Sequence, residues 1–297
     1  MQSTTNFPMP KPKNPLAGYM RQPKIYIKLP SQGMFWNQKS LDLPENGEIP
    51  VYGMTAKDEL MFKTPDALLN GQAVVDVVQS CCPNIKDAWS IPNIDLDTIL
   101  IAIRLATYGE KMAIKHKIPG IDEEVEHDID LRILLDQQSN NNWIEQVPVR
   151  DDLIVFVRPL SYKHLTQTSI KSFETARIMN VVNDDSISDE KKLEMFNSSF
   201  ATLTRVTIDL MTESIYKIVT PEAEVVDREM IIDFVNNADK DIFDTVNNHL
   251  NQMKHQNDIK PLSFTTTEEQ QAAGAPETYE IPINFNESDF FGSGFRP

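Results

Sequence analysis

The chain has 297 residues, 40% of them hydrophobic and 24% charged, with a formal net charge of −16. That length supports one large domain or two modest ones, each with its own core. So acidic a body argues against a nucleic-acid ligand, because binding one requires cations that neutralise phosphates. No apolar run approaches the roughly 20 residues that span a bilayer. The charge is uneven: Lys11, Lys13, Arg21, Lys24, Lys28 and Lys39 precede the first acid, Asp42, so all 44 acids lie behind them. The expectation is an acidic body carrying a small basic arm that is solvated or touches an acidic surface.

Residues 1–23 are rich in proline (Pro8, Pro10, Pro12, Pro15, Pro23) and read as an extended or disordered arm. Strand signals follow at 24–29 and 47–52. Between them, Leu29-Pro30-Ser31-Gln32-Gly33 runs into Phe35 and Trp36. Thr55 is placed to cap a short helix, with Asp58 answering it. Thr64-Pro65-Asp66 repeats that signal with proline at the first helical position. Gln72 to Cys82 reads as a helix with Val74, Val77, Val78 and Cys81 on one face, stopped by Pro83. Cys81 and Cys82, the only cysteines, are adjacent; neighbours seldom bridge each other, so they read as small buried hydrophobes in a reducing compartment. The N-terminus lacks a secretory pattern.

Asp95 or Asp97 is expected to cap the next helix. Ile99, Ile103 and Ala106 form its buried stripe, widened by Leu100, Ile101 and Leu105, and Gly109 ends it. Lys111–Ile118 and Val125–Leu131 form a hairpin about Pro119-Gly120. A short helix at 132–137 and strands at 143–149 and 153–158 follow.

From Ser161 the pattern turns to long helices. One spans Tyr162–Val182. After Asn183-Asp184-Asp185-Ser186, a second starts at Ser188 and is expected to run to about Val219, burying Leu193, Phe196, Phe200, Leu203, Val206 and Leu210 in a helical hairpin. Further helices begin at Asp227 and carry Ile242, Phe243, Val246 and Leu250. The tail holds strands at 262–266 and 279–285, a second hairpin that loosely parallels the first. The fold class is therefore α+β: a mixed helix/strand module with a β-hairpin, a long-helix hairpin region and a C-terminal β-hairpin. The segments are a 1–23 arm, a 24–158 module, a 159–260 helical domain and a 261–297 tail.

Several runs carry a resemblance: Leu-Pro-Ser-x-Gly-x-Phe at 29–35, Ile-Pro-Val-Tyr-x-Met-Thr-Ala-x-Asp-Glu at 49–59, Thr-Pro-Asp-Ala-Leu-Leu-Asn-Gly at 64–71, the Cys-Pro at 82–83, and Ile-Arg-x-Ala-Thr-Tyr-Gly at 103–109. Together they resemble the T4-type bacteriophage baseplate protein family, whose members are hub components or hub-assembly factors of contractile-tailed phages. The final Asn-x-Ser-x-Phe-Phe is similar to that family's ending. Relatives commonly place Cys-x-x-Cys pairs in such hairpins, as in a zinc knuckle. Here the stretch from Ile114 to Asp122 has no cysteine, and neither has the C-terminal hairpin, so no metal or other cofactor is expected. His116 and His127 are the nearest candidates and could face each other across the hairpin.

His116, His127, His164, His249 and His255 fall in no recognisable nucleophile, metal-protease or deaminase pattern. There is no P-loop and no dinucleotide fingerprint. Carboxylate pairs such as Asp95/Asp97 and Asp122/Glu124 read as helix caps and solvated charge. The expectation is a protein that is not an enzyme and has no catalytic residues. The resemblance implies a baseplate-hub structural or assembly component, located in the virion tail and, during assembly, in the host cytoplasm. Its partners would be other hub or tail-tube proteins. Candidate partner-binding residues are Gly33, Phe35 and Trp36, as an exposed apolar-tipped turn, and Phe290 and Phe291 beyond the last strand. Core packing is the alternative for Phe35 and Trp36, and packing on their own domain is the alternative for the Phe pair. Two other functions stay open: a transient chaperone-like factor absent from the finished particle, and a hub-associated peptidoglycan hydrolase, which would need two carboxylates opposed across a cleft.

Overall fold

The computed structural model describes residues 15–61, 70–182 and 188–283. The architecture is α+β, with small antiparallel sheets and helices distributed over three apolar cores.

The first core is built around one helix. Strands β1 (Pro23–Lys28) and β2 (Glu48–Tyr52) pair antiparallel, with Ile27 opposite Ile49 and Ile25 opposite Val51. Alternation turns Ile27, Ile49 and Val51 inward and leaves Tyr26 exposed. Helix α1 (Ala56–Met61) follows, then α2 (Gln72–Cys81) and α3 (Asn93–Tyr108). The valines of α2 face the core, joined by Ala73 and Val75, so the helix is buried on more than the single face that its spacing predicts. Nearly all of α3 from Ile99 to Ala106 is buried, as its continuous apolar run requires. The hairpin β3 (Lys111–Lys117) and β4 (Glu124–Asp130) leads into α4 (Leu131–Ser139), capped by the Asp130 carboxylate. Leu131 and Leu134 close the core from below.

The second core lies under a four-stranded sheet of order β5–β6–β7–β8: β5 (Gln146–Arg150), β6 (Leu153–Val157), β7 (Ile215–Val219) and β8 (Glu224–Val225). Between β6 and β7 the chain makes the long excursion α5 (Tyr162–Val182) and α6 (Asp189–Ser214), two helices that pack along each other. The second of these is shorter than its sequence predicts. It stops at Ser214, and Ile215-Tyr216-Lys217-Ile218-Val219 is a strand, with Val155 opposite Ile218 and Ile154 opposite Val219. β-Branched and aromatic residues favour the pleated surface, and an open sheet edge on β6 supplies the partner. The sheet thereby draws strands from both sides of residue 158. Helices α7 (Arg228–Asn237) and α8 (Lys240–Asn257) cover it, burying Ile231, Val235 and Val246.

The chain leaves for this second core and returns from it at one place: the Asn141 amide donates to the Asn257 carbonyl at 3.0 Å, and the Asn257 amide to the Asn142 carbonyl at 3.2 Å. After the return, β9 (Leu262–Thr265), α9 (Glu268–Ala272) and β10 (Thr278–Ile281) form the last unit. Helix α9 lies between the two strands of the tail hairpin, where the sequence predicts no element. Thr267 and Gln270 cap each other reciprocally there, which nucleates a single turn. The two hairpins, parallel in strand pattern only, pack on each other: Ile118, Ile121 and Val125 meet Phe264, Ala275, Tyr279 and Ile281. Ile259, Leu262 and Ile283 reach the first core. The Thr64-Pro65-Asp66 cap, the break at 183–186 and the arm before residue 15 lie outside the described residues.

Candidate docking surfaces

The signature turn of the N-terminal module is held from within. Asp95, in the first turn of α3, is fully buried. Its carboxylate accepts from the Ser31 backbone N–H at 2.8 Å, the Ser31 hydroxyl at 2.5 Å and the Trp36 indole N–H at 2.8 Å. Burial pushes this acid up to about 6, against the opposing pull of the Ser31 and Trp36 hydrogen bonds. Asp95 is therefore neither a cap nor a solvated charge; Pro92 precedes the helix, and the carboxylate serves a loop some sixty residues away. Nothing local marks it, because an acid in the first turn is what any helix start shows.

Trp36 packs on the first core and is tied to Asp95, so it is a strut of the turn and not its exposed tip. Gly33 has φ +84, and a Cβ there would meet Leu43 at 2.9 Å, so glycine is needed for the turn itself. Phe35 is half-buried at φ +67. The exposed apolar residue of the turn is Met34. Phe290 and Phe291 lie outside the described residues.

The end of the basic arm is docked. The Arg21 guanidinium donates to the Gly53 carbonyl at 2.9 Å and to the Ser80 carbonyl and hydroxyl at 2.5 and 2.9 Å, and lies 3.4 Å from Asp58. It also sits over the Tyr52 ring. Asp58 in turn accepts from the Thr55 N–H and hydroxyl, both at 2.8 Å, completing the capping pair that the sequence predicts. One planar cation thus joins β2, α1 and α2. Beside it, burial pushes the Cys81 thiol up to about 12, with Asp58 adding to the effect, and burial raises Cys82 as well. Both thiols are inert hydrophobes. Arg21→Ala is expected to lower the unfolding free energy by about 2 kcal/mol, read as the shift in a urea midpoint. Arg21→Lys should recover little of it, because a point charge cannot make the forked contacts.

At the hairpin junction, the His116 and His127 rings stack at 5.2 Å. The Tyr279 hydroxyl lies 2.9 Å from His116 Nε2 and 3.5 Å from His127 Nε2, and Phe264 stacks on His127 at 4.3 Å. The histidines do come together, and rings fill the space around them. Burial, then His127, hold the His116 imidazole below its ordinary value. Two imidazoles and a phenol do not make the four-ligand thiolate-rich set of a structural zinc. Among the described residues no three of His, Cys, Asp and Glu gather closely enough to hold a metal ion.

A further polar row joins the start of α5 to the end of α6. The Ser161 hydroxyl lies 2.9 Å from His164 Nδ1, His164 Nε2 lies 3.5 Å from Glu213, and Glu213 pairs with Arg228. The Ser161 carbonyl accepts the first helical bond from Leu165, so Ser161 is the N-cap of α5. The serine sits where a cap belongs and the carboxylate is shared with an arginine, so the row reads as a tie between two helices. Burial lowers the His164 value, with Glu213 opposing it.

Helix α6 departs most from its sequence reading. Val206 is buried, but Leu193, Phe196, Phe200 and Leu203, read as the core stripe, are 62%, 46%, 65% and 39% exposed. Phe173 of α5 is exposed as well. Phe200 forms one side of a groove of about 940 Å³ between α5, α6 and α7, together with Lys171, Arg205, Ile208 and Ile232. Nothing in the periodicity tells an apolar stripe that packs on its own chain from one that does not. Among the described residues, no helix is long and apolar enough to cross a membrane.

No curated protein and no solved structure matches the chain. The family described as T4 bacteriophage base plate protein does match, over residues 25–272. That span takes in the Asp95-anchored turn, the Arg21-clamped strand and helices, the first hairpin, the helical excursion and most of the last unit. The chain therefore belongs to the T4-type phage baseplate protein family.

Proposed function

We propose that this protein is a structural component of the baseplate hub of a contractile tail, acting by docking to other hub or tail-tube proteins and not by catalysis. It would assemble in the host cytoplasm and stay in the finished particle. The observation that carries this reading is the apolar surface along the entry to the first module. Tyr19, Met20, Tyr26 and Met34 are all exposed, before, within and just after β1, on a segment clamped from behind by Arg21 and Asp95. Large apolar side chains on a rigid support are what a protein interface uses as anchors. Baseplate proteins are the partners that family membership supports.

Quantitative mass spectrometry of purified virions tests the reading: the chain is expected at a fixed ratio to the other baseplate proteins. If particles need the protein to form yet lack it when finished, the transient assembly-factor alternative replaces the structural one. In the same particles, Tyr26→Asp with Met34→Asp is expected to cut incorporation at least tenfold. Deleting 286–297 asks the same question of Phe290 and Phe291.

A further inference from the structure

The exposed stripe of α6 is self-complementary. Its four apolar residues read Leu193-x-x-Phe196-x-x-x-Phe200-x-x-Leu203, a pattern that is the same in both directions. The spacing of three, four and three residues is one by which two helices can seat side chains between each other. The seam also lacks charge. From Met195 to Thr204 no residue is charged, in a protein of net charge −16. A basic partner would call for acids along the flanks of the seam, and an acidic partner for cations; from Met195 to Thr204 neither is there, and the ends carry both signs, with Lys192 beside Glu194 at one and Arg205 at the other. A second α6 would bring no like charges into contact at the centre of the seam, so the body's net charge does not forbid the pairing locally. The intramolecular neighbour is already placed to one side: Ser199 and Val206 are buried on α6, roughly a quarter turn from the seam.

We infer that two copies of this chain associate through α6, antiparallel about a two-fold axis level with Ser198. In that register Leu193 faces Leu203 of the second copy, and Phe196 faces Phe200 of the second copy. Each contact occurs twice, as a closed isologous interface requires. Phe–Phe layers at the centre and Leu–Leu layers outside give matched volumes in each layer. The interface is small beside the ~1,200–2,000 Å² of a typical specific complex, so free protein should dimerise reversibly with concentration, with α5 and the groove edge at Phe200 adding to the contact. The inference does not rest on the docking role of the β1 region and survives if that role fails.

Sedimentation of the full chain across a wide concentration range is the first test, with a monomer–dimer equilibrium expected. Phe196→Asp with Phe200→Asp should weaken the dimer at least a hundredfold while leaving the circular dichroism spectrum unchanged, since the two side chains are already 46% and 65% exposed. Orientation is tested by mixing F196C protein with F200C protein under mild oxidation. The antiparallel register cross-links unlike variants to each other and leaves each variant alone largely uncross-linked. Cross-linking of each variant to itself would mean a parallel pairing and overturn the register. A chain that stays monomeric at every concentration, with no cross-link, would overturn the inference and leave the seam to a helix from a different protein.

Discussion

Asp95→Ala is expected to lower the unfolding free energy by about 4 kcal/mol, the largest single-residue effect in the first module. The substitution removes one acceptor group and strands three donors, the buried Ser31 N–H and hydroxyl and the half-buried Trp36 indole. The signature turn should detach from α3, which chemical denaturation followed through Trp36 fluorescence would register. Asp95→Asn should recover no more than half, because one oxygen remains to accept while the new NH₂ confronts a donor. The same carboxyl sets a pH dependence. Burial lifts it from 3.8 to about 6 in the folded chain. Between those values the folded state keeps a proton that the unfolded chain has released. Stability from this group is therefore greatest at low pH, falls as pH rises towards 6 and is level above it. Urea midpoints measured from pH 4 to pH 8 should show that decline in the wild-type chain and a flatter profile in D95N. A profile identical in the two proteins would remove the buried-acid explanation.

Gly120→Val is expected to separate the two hairpins at a cost of about 3 kcal/mol. Gly120 has φ +88, and a Cβ on it would stand 2.6 Å from the Gly274 carbonyl oxygen. Strain and collision act together, and the obstacle is backbone, which cannot swing aside as a side chain could. Hydrogen exchange gives the readout: protection should fall in β9 and β10 while β5 to β7 keep theirs. His116 and His127 would lose the Tyr279 hydroxyl at the same time, so their imidazole resonances should shift towards those of solvated histidine.

Where local chemistry decides, the sequence was enough. The Thr55–Asp58 pair, the Asp227 and Ser188 helix starts, the valine face of α2 and the Pro119-Gly120 turn all form where their residues predict. The α+β class follows from them. Long-range pairings were not legible. Ile215–Val219 continues a helical spacing and becomes a strand only because β6 offers an edge. Asp95 looks like any first-turn acid until Ser31 and Trp36 are brought to it. Trp36 looks like a surface anchor for the same reason. The α6 stripe is the instructive case. Its helical period is the predicted one and its exposure is not, since a 3.6-residue repeat records that a face is apolar and says nothing about what covers it.

The return of the chain at Asn257 bears on how the protein comes into being. Residues 143–257 emerge from the ribosome as a complete second core, inserted between two stretches that need each other: α4 and β3–β4 before it, β9–β10 and Ile283 after it. The first module therefore stays open along one seam until residues 259–283 have been made and close it. A stop codon ahead of residue 259 would not merely shorten the chain. It would leave the oldest part of the molecule unsealed.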